Sequence, residues 1–116
     1  KLFGADRLLT ASLAPKSVTT PIAMNLAENT GGVPSLAAVF VVICGLFGGI
    51  VGPLILRRVG VKSSIAKGLA LGSASHALGT VKAMEMGALE GAISGLAIGI
   101  MGVMTALLIP FLERFF

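Results

Sequence analysis

An all-α integral membrane protein is the fold class predicted here: two uninterrupted transmembrane helices, each preceded by a broken (discontinuous) membrane helix. Three observations predict it. Of 116 residues, 55% are hydrophobic and only 12% charged, where a soluble domain carries about a quarter charged residues to solvate its surface. The mean hydropathy is +0.99. Two runs without a charge, Pro34–Leu56 and Gly91–Leu112, each exceed the roughly 20 residues that cross about 30 Å of hydrocarbon. The same composition excludes a disordered tail, a collagen-like rod and a disulfide scaffold. A net charge of +4 would suit nucleic acid in another context. Here the basic residues stand at the ends of apolar runs with no aromatic residues between them, so a membrane signature explains them and nucleic acid is not an expected partner.

Residues 8–27 read LLTASLAPKSVTTPIAMNLA. They are long enough to cross once, yet Pro15 and Pro21 bracket a polar stretch from Lys16 to Thr20, and irregular backbone at membrane depth must be buried in protein or line a wet cavity. The span 34–56 follows, with Pro34 suited to its first turn and Pro53 placed to kink or finish it. Residues 57–64 carry Arg57, Arg58 and Lys62, with Lys67 close behind, and are expected to form a cytoplasmic loop. The second broken element, 65–84 (IAKGLALGSASHALGTVKAM), has Gly72 and Gly79 bracketing Ser73 to Leu78. The second span, 91–112, carries Pro110 near its end. The whole chain, 1–116, is expected to be a single membrane domain. It opens at Lys1-Leu2-Phe3 with no start methionine, which suggests a piece of a longer protein.

If all four segments span, the outer connections carry Glu28, Glu85 and Glu90 with no Lys or Arg, and Lys1, Arg7 and Arg114 fall inside. That four-pass reading is consistent at every connection. A re-entrant reading, which moves Arg114 outside, stays open because the sign rule is a bias. The halves also resemble each other: Thr20-Pro21-Ile22-Ala23-Met24 answers Thr80-Val81-Lys82-Ala83-Met84, and Leu36-Ala37 answers Leu96-Ala97 at the same spacing.

The broken elements place polar groups near the bilayer midplane, where such groups mark pathways or binding sites. An interrupted helix offers free N–H groups and a positive half-dipole to a carboxylate, and freed carbonyls to a cation. Lys16 adds a charge, and Ser17, Thr19, Thr20, Ser73, Ser75 and Thr80 add hydroxyls, an inventory that fits a small anion bearing hydroxyl or keto groups. Lys16 has the alternative of snorkelling or pairing with a carboxylate. His76, the one histidine, has two readings: a proton-coupling or substrate-binding group, because histidine titrates near physiological pH, or a buried neutral residue tying the break to a neighbouring helix. Lys82 and Glu85 suit a surface pair or a gate rather than a substrate site. No metal site or cofactor is expected, and the lone Cys44 reads as a packing residue. No catalytic residue is assigned either: Gly72-Ser73-Ala74-Ser75-His76 does not fit G-x-S-x-G, and no carboxylate at membrane depth could orient the histidine. Glycines recur every four residues at 87, 91, 95 and 99 and at 45/49 and 48/52, spacing that lets helices approach closely, within the chain or between copies.

The motifs Leu13-Ala14-Pro15-Lys16-Ser17-Val18-Thr19-Thr20-Pro21-Ile22-Ala23, Gly31-Gly32-Val33-Pro34-Ser35, Gly68 through Thr80, and Glu90-Gly91-Ala92 closely resemble the LrgB/CidB family, to which the plastidal glycolate/glycerate translocator of plants is related. The similarity covers nearly the whole chain and matches the carboxy-terminal half of a family member. The resemblance implies secondary transport of small monocarboxylates such as glycolate, glycerate or pyruvate. Alternatively it implies a holin- or antiholin-like oligomer that modulates murein hydrolases and autolysis with a small LrgA/CidA-type membrane partner. It also implies part of a cation/proton antiporter-type fold with crossing discontinuous helices, a bacterial cytoplasmic membrane location (the plastid envelope for plant relatives), and a substrate site at Lys16 through Pro21 and Gly72 through Thr80.

Overall fold

The computed structural model describes residues 6–115, and the expected cut at Lys1-Leu2-Phe3 lies outside them. Those residues form five helices and no strand: α1 (Arg7–Leu13), α2 (Thr20–Asn29), α3 (Pro34–Val59), α4 (Ser64–Met86) and α5 (Ala88–Glu113). α3 and α5 have 26 residues each and are long and apolar enough to cross a membrane. Their outer faces hold Phe47, Ile50, Val103 and Leu107, each more than three-fifths exposed, as surfaces that meet lipid or another apolar helix would be.

Both long helices outrun their charge-free cores. α3 takes Arg57 and Arg58 into its last turn and stops at Gly60, whose φ of 79° is left-handed. Cations there complement the free carbonyls of the helix end, so the basic loop expected over 57–64 shrinks to a short link. Ser63 then accepts from the Ala66 N–H at 3.3 Å to start α4. Neither Pro53 nor Pro110 finishes its helix, which continues beyond both. Each proline removes one backbone donor, a loss that long packed helices absorb.

α4 does not run straight. His76, with φ 48° and ψ −125°, breaks it into two arms. A straight helix of 23 residues would hold its ends about 35 Å apart, yet Glu90, just past the end of α4, lies against Ser64 and Lys67 at its beginning. Glycines show the path. A methyl group on Gly68 would meet the Glu90 carbonyl oxygen at 2.6 Å and Ile93 Cβ at 2.9 Å, and one on Gly72 would meet Ser94 Cα at 2.9 Å, so the first arm runs alongside the start of α5. Gly79 on the returning arm abuts the Leu71 carbonyl, and Gly91 abuts Met84. The element is a hairpin with His76 at its tip. The break falls on His76, between Gly72 and Gly79, which are themselves contact points on regular helix, and the element turns back on itself.

The first broken element behaves likewise. α1 ends at Leu13, residues 14–19 are irregular, and α2 begins at Thr20 with Pro21 in its first turn, where a missing N–H is no loss. Ser12 Oγ accepts from the Val33 N–H at 2.8 Å, which ties the end of α1 to the start of α3. α2 returns along α3, burying Val18, Ala23 and Ala27 against Ala37 and Val41. Each interrupted element closes on the end of the long helix that follows it, so the two hairpins point at each other from opposite ends.

This topology puts Lys62 and Glu85 at the same end of the molecule. In a Cys44→Ala background, Lys62→Cys and Glu85→Cys should label from the same side with a membrane-impermeant thiol reagent, whereas labelling from opposite sides would restore the four-pass arrangement. Gly72→Val should lower stability by about 1–3 kcal/mol through overpacking against α5. Gly95→Ala, with nothing within 4 Å of the new methyl group, should stay within about 0.5 kcal/mol, both read as denaturation midpoints in bilayer discs.

Candidate functional site

The hairpin tips converge beside the middle of α3. Ser75 closes the first arm of α4 and is 1% exposed. It sits over Gly48, where any Cβ would occupy the place of its Oγ. Among the described residues the Ser75 Oγ has no hydrogen-bond partner, and neither does Nε2 of His76, itself 3% exposed. A buried hydroxyl or ring nitrogen left unpaired costs about 1–3 kcal/mol, so a pair of them at one place marks a site or a strained joint. From the other hairpin, the charge of Lys16 and the backbone of Ser17 face the same imidazole. Lys16 is exposed and donates from Nζ to Ser17 Oγ at 3.1 Å. No carboxylate pairs with it among the described residues.

Lys16, Ser17, Ser75 and His76 are thus brought together. The other expected site residues are not joined to them in the same way. Thr19 and Thr20 open α2, with no side chain capping its first turn, so the positive end of α2 remains available at the tip. Ser73 is committed to the Leu69 carbonyl of its own arm at 2.6 Å. Thr80 acts one step behind: its Oγ1 donates to the His76 carbonyl at 2.9 Å and lies 2.7 Å from Ser94 Oγ. Pro15 is fully buried at the first tip. Lys82 and Glu85 form an exposed pair at 3.1 Å.

Sequence reasoning missed Ser94 and Ser12. Ser94 is fully buried, touches Gly72 and joins α5 to the returning arm through Thr80. The available signal was a hydroxyl in the middle of an otherwise apolar run, Ile93-Ser94-Gly95. Ser12, also fully buried, donates to the Leu8 carbonyl at 2.7 Å while accepting from Val33.

A cavity of about 370 Å³ opens beside this junction, lined by Lys16 and Ser75 together with apolar residues of α3 and α4 and the half-buried Cys44. The described residues hold no cluster of three potential metal ligands. Lys16 and Ser75 thus share one cavity wall, whereas Thr19, Thr20 and Pro21 at the start of α2 are not part of its lining.

The family model described as the LrgB-like family matches residues 1–115. The chain is 49% identical over 102 residues to YxaC of Bacillus subtilis, covering 88% of this chain and 44% of that protein. It is 38% identical over 116 residues to the holin-like protein CidB of Staphylococcus epidermidis, covering 100% and 51%. It is 38% identical over 115 residues to the antiholin-like protein LrgB of Bacillus cereus, covering 99% and 50%. The chain spans about half the length of the curated relatives it matches. No solved structure matches.

Because Ser94 anchors the returning arm through one hydroxyl pair, Ser94→Ala should cost about 1 kcal/mol. Ser94→Val, which strands Thr80 and crowds Gly72, should cost more, both read from denaturation midpoints.

Proposed function

The chain belongs to the LrgB-like family, and from that premise we propose that it is part of an integral protein of the bacterial cytoplasmic membrane acting in the holin- or antiholin-like manner named for its relatives. Two helices long enough to span, with broad apolar faces turned outward, support the membrane placement. In this reading α3 and α5 cross the bilayer, and the two hairpins re-enter it from opposite faces. Arg57, Arg58, Lys62, Lys67 and Lys82 gather at one end, which the positive-inside bias makes cytoplasmic. The exposed apolar faces suit a homo-oligomer or an LrgA/CidA-type membrane partner, whose activity would bear on murein hydrolases and autolysis.

The junction of the hairpin tips favours a second reading, secondary transport of small monocarboxylates of the glycolate, glycerate or pyruvate kind. The observation that carries it is the unpaired Ser75 hydroxyl buried beside Lys16 on the cavity wall. An unselective pore has no need of it, whereas a carrier needs a site that satisfies a substrate and opens alternately to each side. Lys16 would hold the carboxylate, Ser75 and Ser17 would donate to it, and His76 would couple a proton or orient the tip.

Counterflow of labelled pyruvate and glycolate in proteoliposomes of the full-length protein, with sucrose leak as the control, separates the readings. Saturable exchange without sucrose leak supports the carrier; leak of all three without saturation supports the pore. If the carrier reading holds, Lys16→Ala should lower saturable uptake at least tenfold with insertion intact, and unchanged kinetics would remove Lys16 from the site. His76→Ala should flatten the pH profile of uptake between about pH 5 and 8. An unaltered profile with poorer folding would make the histidine a structural hinge.

A further inference from the structure

The cavity beside the hairpin tips has a feature that a two-carbon hydroxy acid would not use. Its charged and hydroxyl residues, Lys16 and Ser75, come from the tips. The rest of it runs between α3 and the first arm of α4, past Phe47, Val51, Ile55 and Leu56 on one side and Ala70 and Leu71 on the other. Its course therefore leads from the unpaired Ser75 hydroxyl toward the basic end of α3. At the roughly 30 Å³ that a water-sized group occupies, about 370 Å³ holds roughly a dozen non-hydrogen atoms. A glycolate or pyruvate ion fills about half of that or less. Hydroxyl groups placed along the remainder would lie against aliphatic walls with no partner, an arrangement that penalises polar substituents.

We propose that this site takes a monocarboxylate carrying an unsubstituted alkyl chain of about four to eight carbons, its carboxylate held by Lys16 and Ser75 and its chain laid in the groove toward Leu56. Charge complementarity selects the occupant: a groove meant only for lipid tails has no use for an ammonium and a buried, unpartnered hydroxyl at one end. The inference rests on the tip junction being an anion site, and it adds the chemistry of the tail. It predicts that hydroxyl groups beyond the tip weaken binding relative to an alkyl chain of equal size, because that part of the groove is lined by apolar residues.

The test is calorimetric titration of the purified full-length protein in bilayer discs with pyruvate, glycerate, acetate, butyrate, hexanoate and octanoate, with affinities referred to free aqueous concentration. Affinity should rise about fourfold per added methylene, the factor that follows from burying one CH₂ group, and butyrate should bind more tightly than glycerate. Val51→Phe, which narrows the groove without touching Lys16 or Ser75, should flatten the rise from acetate to octanoate and leave pyruvate binding within twofold. Ile55→Trp, nearer the far end, should weaken octanoate alone and serves if the first variant does not fold. Pyruvate binding with a flat chain-length series overturns the alkyl site while leaving the anion site standing. A rise that persists unchanged in both groove variants means partition into lipid and also overturns the alkyl site. Binding of none of the acids overturns the anion site itself.

Discussion

Close backbone contact at Gly68 and Gly72 is the constraint on which the second half of the molecule depends. These residues bring the first arm of α4 directly against the carbonyl groups and Cα atoms of Glu90 and Ser94, an approach that any side chain would prevent. Helices surrounded by apolar media gain little from burying more apolar surface. They associate through close packing and hydrogen bonds between small residues. With the first arm held on α5, the returning arm has room only alongside it, and the sharp reversal at His76 follows. The Thr80–Ser94 hydroxyl pair then fastens the returning arm to the same helix. The glycine pairs of α3 serve the other flank: Gly48 admits Ser75 and Gly52 admits Leu71, so the tip of the hairpin reaches the molecular centre.

The two halves share an order of elements with opposite direction. An interrupted stretch is followed by a 26-residue helix in each, and the stretch from Arg7 to Asn29 has the same length as α4. Since α3 leads from the closure of one hairpin toward the closure of the other, the halves face each other head to head. This is the relation expected of an inverted repeat, and it leaves the irregular backbone of both tips at the shared centre. The shared spacing of Thr20-Pro21-Ile22-Ala23-Met24 and Thr80-Val81-Lys82-Ala83-Met84 is consistent with it.

Much of this was legible in the sequence, and what was not has physical causes. The two long helices follow from charge-free length alone. Their ends do not, because arginines that finish a span can remain helical and reach the interface. The first break is announced by Pro15 and Pro21, whose rings exclude ordinary helix interiors. The second break falls on a histidine, with glycines on either side that turned out to be contact points, and composition does not separate a glycine that bends from one that packs. Hairpin and crossing have the same length and hydropathy, so only the contacts of Ser64, Gly68 and Ser12 decide between them. Of the expected site, Lys16, Ser17, Ser75 and His76 come together because they lie at tips. Thr19, Thr20 and Ser73 share their composition but serve helix ends or their own backbone. Ser94 escaped notice because one hydroxyl in an apolar run carries no periodic signal.

The closure of the first hairpin by Ser12 and Val33 has a consequence for how the protein is made. Synthesis delivers residues 12–29 before α3, the helix against which they pack. Until α3 has been threaded, residues 18–27 lack the wall at Ala37 and Val41 against which they pack. This hairpin can therefore complete its packing only once α3 is in place. The second hairpin emerges to find one wall already standing, at Gly48 and Gly52, and waits only for α5. The halves resemble each other in shape yet differ in their order of assembly.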